Sequence, residues 1–147
     1  MSSQFTLDNE GVGASGLLTM AVDASSGKDF TQDDLDDNLT ACVVSDNNEV
    51  GTGASGDKLF GKVIAVSEEE QPDTAIPAYC TVQARGVARF KYNPAAAPQV
   101  NEMVEVDGAG KVKQSSADPD IAAGGHMMRG QVIAVDSGNQ TCDVWLG

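Results

Sequence analysis

Positive charge is the scarcest resource in this 147-residue chain: nine Lys and Arg stand against 22 Asp and Glu, a formal net charge of −13. Such a balance repels phosphate backbones and anionic lipid, so neither nucleic acid nor a membrane is an expected partner. Long apolar runs are also missing; nothing approaches the roughly 18 residues that would cross a bilayer. The start, MSSQFTLDNE, lacks the basic residues and apolar core of a signal peptide. A soluble protein made in a cytoplasm is expected. Cysteine is limited to Cys42, Cys80 and Cys142, an odd count with no CxxC spacing, so the three read as buried small hydrophobes and not as a disulfide framework or zinc site. The one histidine, His126 in GGHMMRG, has no acid or cysteine at triad or ligand spacing, and no nucleophile beside it to activate. No catalysis, metal or cofactor is expected, and Met127 and Met128 read as core or contact residues.

Two segments do match GxGxxG, GVGASG at 11–16 and GTGASG at 51–56. A dinucleotide site needs a strand before and a helix after. The second copy runs instead into DKLFGKVIAV, a strand pattern, and the first sits in an acidic stretch, so both read as glycine turns. Neither Ser15 nor Ser55 sits in a G-x-S-x-G elbow. The acidic run DDLDDN at 33–38 places Asp34, Asp36 and Asn38 at the first ligand positions of a calcium loop, but Leu39 replaces the required glycine and Ser45 the closing glutamate. That run, like EEE at 68–70, reads as solvated surface.

Residues 1–38 hold eight of the acids and one base, Lys28. Met1 to about Gly16 reads as an extended arm that orders against something else. LLTMAV at 17–22 is either a first strand or an anchoring segment. Thr31 with Asp34 forms a capping-box pattern for a turn or two of helix before Ala41. The chain divides on this reading into an acidic arm and lead-in, 1–38, and a β domain, 39–147. At this length one core is expected and a second is not.

Strand signals dominate the larger part. ACVVS, KLFGKVIAV, YCTVQA, GVARFKY, EMVEVD, KVKQS, GQVIAV and CDVWL are short, β-rich and separated by Gly, Pro, Asn, Asp or Ser. Eight such strands predict an all-β fold, a small barrel or sandwich. In RGVARFKY, Arg85, Arg89 and Lys91 fall on one face, wet or partner-facing, and Ala88, Phe90 and Tyr92 on the other. EVDGAGKVK predicts a hairpin with Glu105 opposite Lys113, Asp107 opposite Lys111, and Val106 and Val112 inward. DPDIAA at 118–123 carries a weak helix start at Asp118–Pro119.

One near-repeat runs through the chain. GKVIAV at 61–66 returns as GQVIAV at 130–135, and each is followed by Cys-x-Val, at Cys80 and Cys142. Strict alternation puts Val63 and Ala65 on one face, Ile64 and Val66 on the other, with Val132, Ile133 and Val135 matching them. A strand apolar on both faces is covered on both, so these residues are expected in the core or at a subunit interface, and oligomerisation is predicted. A Cys80 to Cys142 bridge is conceivable only if their strands pair.

The order LFGKVIAVSEEE, YCTVQARGVARFKY, VNEMVEVDGAGKVKQ and RGQVIAV…CDVWLG resembles the head decoration, or cement, proteins of tailed bacteriophages, over about residues 39–147. The resemblance implies a small β-rich homotrimer on the outer surface of the expanded capsid, clamping subunits of the major capsid protein, with the N-terminal arm in contact with the shell. Phe5, Leu7, Leu17 and Leu18 would be the arm's contact residues, and the chain departs from the family in the acidity of that arm. The alternatives are another virion β-barrel, such as a tail-tube or head-completion protein, and a soluble ligand- or glycan-binding module with an aromatic pocket; only four Phe, two Tyr and Trp145 exist to line one.

Overall fold

A computed structural model describes residues 16–67, 78–115 and 130–147. Phe5, Leu7, most of the SEEEQPDTAIPA loop, the 118–123 helix signal, His126, Met127 and Met128 lie outside the described residues. The elements in chain order are β1 (Leu17–Val22), α1 (Gln32–Asp36), β2 (Ala41–Asp46), β3 (Glu49–Gly51), β4 (Gly61–Val66), β5 (Tyr79–Gln83), β6 (Val87–Lys91), a 3₁₀ turn (Pro94–Ala96), β7 (Val104–Val106), β8 (Val112–Gln114), β9 (Gln131–Asp136) and β10 (Thr141–Trp145). The fold is mainly β, as the strand pattern predicts. Ten strands are present among the described residues: LLTMAV is β1, and NEVG supplies the short β3, which composition does not reveal.

β1, β3, β2, β4 and β5 close into a barrel in that order. The second half repeats the circuit. β6, β10 and β9 form one sheet and β7 with β8 a hairpin. A parallel bridge from Tyr92 to Val112 and an antiparallel one from Met103 to Gln131 join the hairpin to both edges of that sheet. Equivalence holds residue by residue. Val22 pairs in parallel with Val50 as Tyr92 does with Val112, and Met20 lies opposite Cys80 as Phe90 lies opposite Cys142. The Ala84 N–H donates to the Gly16 carbonyl as Leu146 does to Gly86, and the Val63 N–H to Thr40 as Val132 does to Glu102. Even the bends after β1 and β6 match: the Asp23 side chain accepts from the Ser25 N–H, and that of Asn93 from the Ala95 N–H.

The repeated VIAV segments are where simple alternation fails. β4 pairs Val63 with Val82 and then Ala65 with Thr81 and Val66 with Cys80, so Ile64 is the extra residue of a bulge. β9 does the same: Val132 pairs with Val144, Ala134 with Asp143 and Val135 with Cys142, leaving Ile133 extra. A bulge shifts the pleat by one residue. Both valines of each segment therefore belong to the core side, Val63 and Val132 fully buried and Val66 and Val135 packed against the cores. Ile64 and Ile133 face out, 43% and 48% exposed. The expectation of strands covered on both faces is corrected accordingly within this chain.

Two cores result, where one was expected. Met20, Val22, Phe30, Cys42, Val50, Val63, Cys80 and Val82 fill the first barrel. Phe90, Tyr92, Val104, Val112, Val132, Cys142 and Val144 fill the second, joined there by Ala41, Val43 and Leu59 from the first half of the chain. A barrel of about 60 residues is marginal alone, and this borrowed apolar surface is what the second gains from being fused to the first. Cys80 and Cys142 sit in different cores, and all three cysteines are free. The first barrel begins at Leu17, well before residue 39. α1 follows β1 with the expected capping box: Thr31 accepts from the Asp34 N–H, and Asp34 accepts in return from Thr31.

Candidate interaction surface

The barrel walls put inward and outward residues in fixed rows. On the second barrel the outward rows across β6, β10 and β9 are Val87, Trp145, Gln131 and then Arg89, Asp143, Ala134. On the first, the rows across β1, β5 and β4 begin with Leu17, Gln83, Lys62. Gln83 binds the two barrels together, its Nε2 donating to the carbonyls of Arg85 (2.9 Å) and Val87 (3.0 Å). Lys62 accordingly comes to the seam, within electrostatic reach of Arg89 and Asp143.

The charges at this seam form one group. Arg89 donates through Nε to Asp143 Oδ1 at 2.8 Å and through Nη2 to Oδ2 at 3.2 Å, occupying both carboxylate oxygens. That hydrogen bond holds the Asp143 carboxyl below its usual range and raises Arg89 further. Lys62 is half-buried; burial first, and then the neighbouring Arg89 cation, push its ammonium down. Among the described residues no carboxylate lies within ion-pair distance of Lys62. Around this group stand exposed apolar side chains, Ile64, Val87, Ile133 and Trp145, the last 53% exposed.

Of the residues singled out from sequence, Arg89 lies at the seam, Lys91 lies one row further along β6, and Arg85 sits in the exposed bend before that strand. Ala88, Phe90 and Tyr92 fill the core behind them. Leu17 and Leu18 belong to a barrel strand: Leu17 is exposed on the wall, and Leu18 packs against the first core. Sequence reasoning did not find Lys62, Asp143 or the outward isoleucines as one surface. The only signal was the outward parity of Asp143 beside Cys142.

Other polar features are spent on architecture. Glu105 pairs with Lys113 at 3.4 Å in the predicted register, but it is buried, not exposed, because β7 is covered on both faces. Asp107 serves the turn, its Oδ1 accepting from the Ala109 and Lys111 N–H groups, in place of a cross-strand pair with the Lys111 side chain. The GTGASG segment ends β3 and continues as a turn: the Gly56 N–H donates to the Val106 carbonyl and the Val106 N–H to Asp57, which ties the barrels together. An open groove of about 450 Å³ beside it is lined by Val43, Val44, Asp57, Lys58, Leu59 and Phe60. Its one carboxylate, Asp57, already accepts from the Ala54 N–H at 2.9 Å.

No family model, curated protein or solved structure matches this chain. The surface therefore has to be read from its own chemistry.

Proposed function

We propose that this chain is a structural virion protein that binds the outer surface of the mature capsid as a trimer and stabilises the shell of major capsid protein. The observation that carries this reading is the outward apolar set on a closed wall. Ile64 and Ile133, held out by equivalent bulges, join Leu17, Tyr79, Val87 and Trp145 as large exposed hydrophobics. Val87 and Trp145 lie directly opposite each other on that wall, and contiguous apolar surface marks a protein contact. The first half is a closed barrel, and in the second single bridges join the hairpin to both edges of the sheet, which leaves little free strand edge, so docking falls to side chains on the walls. The resemblance of the strand order to phage decoration proteins points to the same class.

The mechanism would be multivalent. Three arms on one trimer raise one another's effective concentration at the shell, so weak single contacts become a stable clamp. The acidic segment at residues 1–15, with Phe5 and Leu7, would supply the arm contact. Removal of residues 1–15 should abolish co-sedimentation with expanded capsid shells while light scattering still shows a trimer. Undiminished shell binding by the truncated protein would remove the arm from the mechanism. Open rings or stacks in place of closed trimers would favour the tail-tube reading.

A further inference from the structure

We infer that residues 1–15 seat on the wall of their own chain, with Phe5 and Leu7 lying over Val87 and Trp145 at the seam. The contact belongs to the free chain and so goes beyond the shell reading, under which a shell would take the arm from this resting place.

The seam offers an apolar seat and not a charged one. Arg89 holds both oxygens of Asp143 and feels the Asp136 carboxylate as well, so its charge is met within the chain. What stands out to solvent beside that group is Val87 and Trp145, directly opposite each other on β6 and β10 and 51% and 53% exposed. Leu17, also exposed, lies across from Gln83, whose Nε2 donates to the Val87 carbonyl at 3.0 Å. One strip therefore runs from the start of β1 to the end of β10.

The root of the arm names the occupant. Gly16 lies at the head of that strip: its carbonyl accepts from the Ala84 N–H at 2.7 Å, and a Cβ on it would stand 2.8 Å from Arg85 Cβ. Gly86 holds the matching place in the second barrel, and the chain that enters there keeps to the wall, Gln83 donating to the Arg85 and Val87 carbonyls. Trp145 is near. Gly86 stands two residues beyond Ala84, and the Leu146 N–H donates to the Gly86 carbonyl, so the path from Gly16 is about 20 Å. Leu7 and Phe5 precede Gly16 by nine and eleven residues, about 30 and 36 Å of extended chain. In an extended segment Phe5 and Leu7 share one face while Thr6, Asp8 and Glu10 share the other, which sets the apolar pair on the wall and the acids in water. Two such side chains suffice for a Kd of about 0.1–1 mM. A tethered segment meets its seat at an effective concentration in that range, whereas a separate molecule must reach it in solution.

Trp145 is the chain's one tryptophan, so its fluorescence reads the seat directly. In the full-length chain F5S/L7S should move the emission to the red and raise the acrylamide quenching constant about twofold. Removal of residues 1–15 should do the same, and D8N/E10Q should change neither reading. Both readings should hold on dilution, because the contact lies within one chain. Emission and quenching unaltered by F5S/L7S and by the truncation overturn the contact. Protection of Trp145 that disappears as light scattering shows the mass falling also overturns it and assigns the patch to a second copy. Co-sedimentation with capsid shells is scored separately: binding by a protein whose Trp145 ignores the arm leaves the shell reading standing without this contact, and a responsive Trp145 in a protein that never binds shells leaves the contact standing alone.

Discussion

At the scale of single residues, Cys80 and Cys142 show what equivalence means chemically. They occupy matching places in two separate cores, 3% and 1% exposed, and burial pushes each thiol up to about 12. The thiolate is the reactive form, and at pH 8 only about one part in ten thousand of each would be ionised. Both thiols should therefore stay silent towards a disulfide reagent in native buffer and react at once in denaturant. Stoichiometric labelling of the folded protein would contradict the packing. Their burial was legible in advance, because Cys-x-Val-x-Leu places Cys142, Val144 and Leu146 on one parity. That they could not bridge was not legible, because it depends on there being two barrels.

Strands and turns were legible wherever one local rule acts alone. Ala88, Phe90 and Tyr92 alternate inward, the DGAG turn sets Glu105 against Lys113, and Thr31 caps α1 through Asp34. The rule failed in VIAV because the bulge is imposed by the partner strand, and nothing in Ile-Ala announces it. The seam was hidden for a related reason: Lys62 and Arg89 meet only once two barrels have packed. Glycine links these levels. At Gly130, with φ of +92°, a Cβ would stand 3.0 Å from Val144 Cγ1 and 3.2 Å from both Leu59 Cδ2 and Val104 Cγ2. At the equivalent Gly61 it would run into the Gln83 backbone carbonyl. Gly130→Ala, through left-handed strain and overpacking, and Gly61→Ala, through overpacking alone, should each cost about 3 kcal/mol. Gly27 has φ of +76° but open space around it, so Gly27→Ala should cost only about 1 kcal/mol. Urea titration of the three variants separates steric from conformational cost, and equal losses would refute the close packing at Gly61 and Gly130.

For the whole molecule the question is how two small barrels become one rigid body. Ala41 and Val43 alternate with Cys42 along β2, so one strand serves two cores: Cys42 turns into the first while its neighbours join the second. Leu59 goes further, a residue of the first half that lies fully buried beside Gly130 in the second core. Its truncation should therefore act across the repeat. Leu59→Ala should cost about 2–5 kcal/mol, and hydrogen exchange should show the loss in β6, β9 and β10, with the amides of β1 and β5 less affected. Loss confined to the first barrel would mean that Leu59 serves its own half and that the halves are coupled some other way. The outcome also bears on the seam, because Lys62 is carried by one barrel and Arg89 by the other. A seam built across two bodies holds its spacing only while those bodies are locked, so Leu59→Ala should loosen it as well, although Leu59 itself lies within the core.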